Sequence, residues 1–187
     1  MRTSKLSDEQ LIEKIAKVFR NCGYMGASLS ILSEATGLER ASLYHRFPGG
    51  KEEMAEAVLT HVGSRLEKEL FAPLRTPGDP GNKLVIAVQA IQKFYENGHL
   101  PCVLETLSME GTPPKLRVAL AGAATAFLDA LAELSHELLA KSPAKARDCA
   151  AAALVTLEGA LILTRVTGQS AHFDQALRQI PVILTGH

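Results

Sequence analysis

The chain has 187 residues, 47% hydrophobic and 21% charged, with 14 glycines and 9 prolines, a globular balance that excludes collagen-like, low-complexity and disordered chains. Twenty basic and twenty acidic residues cancel to a formal net charge of zero, so any attraction for nucleic acid has to come from local charge placement. Cys22, Cys102 and Cys149 are odd in number and widely spaced, with no CxxC pair, which argues against a disulfide framework or a zinc ribbon and for a reducing cytoplasm.

The polar start, MRTSKLSDEQ, lacks the apolar stretch of a signal peptide. The first predicted helix carries Leu11, Ile15, Val18, Phe19 and Cys22 on one stripe, opened by Ser7 and Gln10 in capping-box spacing and ended at Gly23. A short helix starts at Ser28 as N-cap and stops before Gly37. Another runs from about Glu39 to Arg46, where Pro48, Gly49 and Gly50 stop it. From Lys51 a longer helix aligns Ala55, Leu59, Val62, Leu66 and Leu70, and residues 72–81 break it.

Leu84, Val88, Ile91 and Tyr95 mark the next helix, followed by a break at Gly98 and Pro101 and a short segment over 103–110. Leu116, Leu120, Ala123, Phe127, Leu131, Leu134 and Leu138 then alternate steps of four and three, the strongest amphipathic signal in the chain. Ser142 and Pro143 open a helix to about Val166, Gly168 ends it, and a last helix containing Phe173, Leu177 and Ile180 is expected to be shortened by Pro181. The apolar run 150–163 contains Glu158 and Gly159. It is shorter than the roughly 18 residues that cross a bilayer, so it reads as a buried helix and no membrane partner is expected. Strand periodicity is absent, and the expected fold is all-α.

Residues 28–47, SLSILSEATGLERASLYHRF, have helix-turn-helix spacing, with Ile31, Leu32, Ala35, Leu38, Leu43 and Phe47 as inward positions. If Leu43 points inward, a rotation of roughly 100° per residue sends Ala41 and His45 outward, flanked by Ser42 and Tyr44. Such a face fits a major groove. Arg40 can pair bidentately with guanine, His45 or Ser42 can bond a base edge, and Ala41 can touch a thymine methyl. Residues 1–51 hold eight basic residues (Arg2, Lys5, Lys14, Lys17, Arg20, Arg40, Arg46, Lys51) against five acidic, a local excess of three. The backbone amides at Ser28 and over 49–52 begin helices and are candidate phosphate ligands.

Ala35-Thr36-Gly37, Leu43-Tyr44-His45-Arg46-Phe47 and Gly50-Lys51-Glu52-Glu53 resemble the N-terminal DNA-binding domain of the TetR family of bacterial transcriptional regulators, and within it the LmrA/YxaF-like branch. The resemblance covers residues 8–58 and, through helix pattern, 159–184. It implies a subunit of about nine helices: an N-terminal three-helix helix-turn-helix domain over 1–50 and a larger effector-binding and dimerisation domain over 51–187. It implies a homodimer on a palindromic operator in double-stranded DNA, released by a small-molecule effector, in a bacterial cytoplasm and on the nucleoid when DNA-bound. Carried over by position, Ser28, Tyr44 and Lys51 are expected at phosphates and Arg40, Ala41, Ser42 and His45 at bases. Glu39 departs from this pattern, because at the front of the recognition helix it repels phosphate unless it accepts from cytosine or pairs with Arg40.

For the effector, Phe94, Cys102, Met109 and Phe127 are candidate pocket residues, each also readable as plain core. Glu158 inside an apolar helix needs a partner helix, a ligand or a helix edge. His99 and Cys102 flank the break where the family gates its cavity. No cofactor is expected, and His61, His136 and His172 lack metal-ligand spacing. Ser142-Pro143-Ala144-Lys145 matches SxxK formally, but the same Ser and Pro explain a helix start and no general base accompanies them, so an enzyme is not expected. Two alternatives stay open: a helical small-molecule-binding protein of the same fold without sequence-specific DNA binding, and an activator or redox sensor using Cys102 on the same scaffold.

Overall fold

The computed structural model describes residues 6–139 and 142–186; Arg2 and Lys5, two of the eight N-terminal cations, lie outside them. The described residues form nine α-helices and no strand: α1 (Asp8–Gly26), α2 (Leu29–Thr36), α3 (Arg40–Arg46), α4 (Gly50–Leu66), α5 (Pro80–Phe94), α6 (Val103–Leu107), α7 (Pro114–Leu139), α8 (Pro143–Thr167) and α9 (Ala171–Leu184). They divide into two compact units, one comprising the chain to Gly63 with Val103–Ala121, the other Ser64–Cys102 with the chain from Gly122 onward.

In the first unit the expected capping box opens α1: Gln10 N donates to Ser7 Oγ at 3.2 Å and Ser7 N to Gln10 Oε1 at 3.1 Å. Leu11, Ile15, Val18 and Phe19 are buried, whereas Cys22 is exposed. The helical path breaks at Gly23, at φ +66°, and Tyr24 takes the inward place, stacked on Phe19 with ring centroids 6.2 Å apart. α2 is capped by Ser28, whose Oγ accepts from Ile31 N at 3.3 Å, and closed by Gly37 at φ +72°. Leu32, Leu43 and Phe47 form its core with α3, while Ala35 and Leu38 are half-buried. Ile31 is 39% exposed, contrary to expectation, because an eight-residue helix buries one narrow stripe and Leu32 occupies it.

Gly50, Met54, Ala55, Val58 and Val62 are the buried positions of α4 in this unit. α6 packs on α1, a pairing no local pattern announces. A Cβ at Gly23 would come within 3.0 Å of the Thr106 carbonyl, and Thr112 Oγ1 donates to Leu107 O at 2.7 Å to close the turn after α6.

In the second unit the helical path continues past Leu66 through a π turn (Glu67–Phe71) into a last α turn (Ala72–Arg75), beyond the expected break at 72. The wide turn before Pro73 accommodates the ring and its missing N–H. Asp79 caps α5, its Oδ2 accepting from Asn82 N at 2.8 Å. Phe127, Leu131 and Leu134 of α7 are buried as expected, but Ala123 is exposed and Leu138 half-buried. Ser142 and Gly168 bound α8 as the sequence indicates. α9 packs on α8, with Ala153 and Ala160 of α8 and Phe173, Leu177 and Ile180 of α9 buried. Pro181 does not shorten α9, which runs to Leu184. Only one turn follows the proline, and Ser135 Oγ anchors it by donating to Leu184 O at 2.8 Å.

Lys83, buried on α5, donates to both oxygens of Glu137 on α7 at 2.9 and 2.7 Å. By length and composition α7 and α8 are each long and apolar enough to cross a membrane, more than the run 150–163 alone suggests, and each buries one stripe within the fold.

Candidate nucleic-acid interface

Six of the seven residues of α3 are exposed, Leu43 alone being buried. The anchor therefore turns Arg40, Ala41, Ser42, Tyr44 and His45 to the surface, the disposition expected from helical geometry. Tyr44 is 47% exposed, with one ring edge against Gly50, whose φ of +65° starts α4. Glu39 occupies the N-cap position of α3 with no side-chain cap bond, and its carboxylate stays exposed. Arg40 turns across to α2, where its Nη2 donates to Ser30 Oγ.

The flanking helix starts are more occupied than the sequence suggests. Ser28 N donates to Gly26 O at 2.9 Å, Gly49 N to Glu53 Oε2 at 2.6 Å and Gly50 N to Phe47 O at 2.8 Å. Those three amides are committed within the chain, which corrects their reading as phosphate ligands. The Ser28 hydroxyl caps α2. Lys51 Nζ donates to Tyr24 O at 3.0 Å and stands 4.4 Å from the centre of the Tyr24 ring. An ammonium has three N–H donors, so this contact leaves two.

The local excess of basic residues thins once partners are placed. Arg20 is buried and Arg46 pairs with Asp8 at 2.8 Å, whereas Lys14, donating to the neutral Ala35 O at 3.1 Å, keeps its charge. On α4, Glu56 holds Lys115 at 2.6 Å; that hydrogen bond, then the Glu56 charge, hold the Lys115 ammonium above the ordinary lysine range. Burial, then the nearby Glu52, push the Tyr24 phenol up. His61 Nε2 lies 2.7 Å from Glu13 Oε1, tying α4 to α1. Arg40, bonded to a neutral hydroxyl, keeps its whole charge on the exposed face. An open groove of about 430 Å³ runs beside it, walled by Ser30, Glu34, Glu39 and Arg40.

The candidate effector residues fall in both units. Phe94, Cys102 and Phe127 are buried in the second, where Phe94 meets Tyr95 edge-on at 5.0 Å, Tyr95 Oη lies 3.5 Å from Cys102 Sγ, and Phe127 meets Phe71 at 5.6 Å. Glu158 is half-buried on α8. Met109 belongs to the first unit, is 62% exposed and sits beside Gly23. A separate cleft of about 340 Å³ in the second unit, walled by Asp129, Glu133, His136 and Arg147, contains none of them.

Residues 11–58 match the family model for bacterial regulatory proteins of the TetR family. The chain is 26% identical over 107 residues to the uncharacterized HTH-type transcriptional regulator YxaF of Bacillus subtilis, an alignment covering 57% of this chain and 52% of that one. It is 27% identical over 132 residues to the HTH-type transcriptional regulator LmrA of the same organism, covering 70% and 64%. The chain thus spans between half and two thirds of the length of these two relatives. Its fold superposes with a TM-score of 0.77, at 19% identity and over 99% of each chain, on a cysteine mutant of the TetR family regulator CifR solved with 26-bp double-strand operator DNA. Residues 11–58, which include the exposed α3 anchored by one leucine, thus carry the sequence of the TetR-family DNA-binding domain, and the chain has the fold of a solved TetR-family regulator.

Proposed function

We propose that this protein is a one-component transcriptional repressor that binds a palindromic operator as a homodimer and leaves it when a small effector enters its C-terminal domain. The observation that carries the reading is α3: one buried leucine and a small, polar, exposed face of Arg40, Ala41, Ser42 and His45. That face has the size and donor set for a major groove. Tyr44 beside it, Lys51 with two N–H groups left, and the Ser28 hydroxyl serve the flanking phosphates. The operator complex of CifR, a protein of the same fold, supports double-stranded DNA as the partner.

Dimerisation uses α8 and α9. Ala151, Val155, Gly159, Ile162 and Val166 follow one stripe of α8; Val155 is 72% and Val166 75% exposed, and Leu163 beside the stripe is 49% exposed. Surface of that kind suits a self-complementary two-fold contact. Residues 1–50 act as the DNA-binding domain and 51–187 as the effector and dimerisation domain. An apolar or aromatic effector suits the buried aromatic pairs of the second unit, Phe94 with Tyr95 and Phe127 with Phe71. α4, whose residues continue from the first compact unit into the second, is the lever. A coupling of about 1 to 3 kcal/mol between effector and operator suffices for regulation. The protein works in the cytoplasm, on the nucleoid when DNA-bound.

The exposed carboxylate of Glu39 at the front of α3 favours a second reading, a ligand-binding helical protein without sequence-specific DNA contacts. Selection of bound duplexes from a random pool at fixed salt separates the two. An inverted repeat enriched by the wild type and lost by the Tyr44→Ala, Lys51→Ala double variant supports the repressor reading. Weak, salt-sensitive binding with no enriched sequence supports the second.

A further inference from the structure

We propose that Ser30 on α2 is a specificity-determining residue that acts through Arg40, holding the guanidinium in a fixed plane for base readout; the inference rests on the reading of α3 as the base-contacting helix. Ser30 and Arg40 come from different helices, ten residues apart, and both are exposed, so their hydrogen bond is not a requirement of the core. Exposed arginine is otherwise a long, mobile side chain that loses much rotamer freedom when it is fixed on a base. A guanidinium presents five N–H donors in one plane, and a single bond from Nη2 leaves an adjacent pair free for the O6 and N7 acceptors of guanine. Pre-orientation lowers the cost of that bidentate contact and fixes which base pair it reaches.

The identity of the partner matters as much as its presence. The groove beside Arg40 is also lined by Glu34 and Glu39, the two acidic residues among its walls. Pairing with either would neutralise the charge that faces DNA, as Asp8 does for Arg46. A hydroxyl orients Arg40 and leaves its charge whole. Ser30 is thus a positioning residue, and its removal should change which base is preferred rather than how strongly the protein is attracted to phosphate.

Selection from a random duplex pool at fixed salt, with the full-length wild type and the Ser30→Ala, Ser30→Thr and Arg40→Ala variants, tests this. The wild type should enrich a motif with one base pair in each half-site whose preference disappears in Arg40→Ala. Ser30→Ala should lower the preference at that same base pair by about three- to tenfold, and Ser30→Thr should restore it. Affinity for a duplex lacking the motif should stay within about twofold throughout for the Ser30 variants, because no phosphate contact is lost. A motif that depends on Arg40 but is read identically by Ser30→Ala overturns the inference, as does a motif indifferent to Arg40. Weakening of every position together in Ser30→Ala marks a merely structural role and also overturns it. A wild type that enriches no motif contradicts the reading of α3 itself, an outcome distinct from the others.

Discussion

Gly98 follows two residues in left-handed backbone, Glu96 at φ +49° and Asn97 at φ +56°, and itself sits at φ +86° against the Phe173 side chain. A Cβ there would lie 2.7 Å from Phe173 atoms. Gly98→Ala should therefore cost about 2–4 kcal/mol, through strain and through overpacking, read as a lower denaturant midpoint with unchanged slope. The Lys83–Glu137 pair gives an asymmetric prediction, because the lysine is buried and the glutamate is 40% exposed. Glu137→Ala leaves a buried ammonium without its acceptor and should cost about 2–3 kcal/mol, whereas Lys83→Met should stay within about 1 kcal/mol of the wild type. Equal losses would contradict this account of the pair.

Tyr24 links a residue to pH. Burial raises its phenol above the ordinary value of 10.0, so above about pH 10 the unfolded chain releases a proton that the folded chain retains. The stability this group contributes is whole below pH 10 and falls as pH rises through the folded value. Tyr24→Phe should lose less stability between neutral pH and pH 11 than the wild type does. A steeper loss in the variant would refute the assignment.

At the scale of elements, the ends of helices were the most legible part of the chain because their chemistry is local. Ser7 with Gln10, Ser28 with Gly37, and Ser142 with Gly168 each satisfy the orphan groups of a helix end within a few residues. Ser28→Ala should cost about 1 kcal/mol in global unfolding. What was not legible depends on distance in sequence. The docking of α6 on α1 joins segments some eighty residues apart, and no periodicity within either announces it. The Arg40–Ser30 bond crosses between helices, so the sequence shows an arginine at the front of α3 but not what holds it. Prolines misled where a neighbouring irregularity absorbs them: the π turn before Pro73, and the nearness of Pro181 to its helix end. Cys22 is exposed rather than inward, and past the turn at Gly23 it is Tyr24 that is buried against Phe19. The face of α3 was read correctly because a seven-residue helix with one large apolar residue has only one way to bury it.

At the scale of the molecule, the exposed stripe of α8 is the element most in need of a partner, since Val155, Ile162, Leu163 and Val166 are all exposed on a helix that also packs on α9. Light scattering at micromolar concentration should return twice the chain mass. Val155→Asp, which places like charges across a two-fold contact, should raise the dimer dissociation constant by tenfold or more, on the order of 1.4 kcal/mol, with helical content unchanged. The central claim is that two copies of α3 read two half-sites of one duplex. It is tested most directly by a footprint, with stoichiometry, on the duplex that the random-pool selection recovers. The account predicts two chains per duplex and two protected half-sites in inverted orientation, centred about one helical turn, roughly 34 Å, or a whole multiple of it apart. One chain on one protected half-site, or uniform protection that follows no sequence, would contradict it.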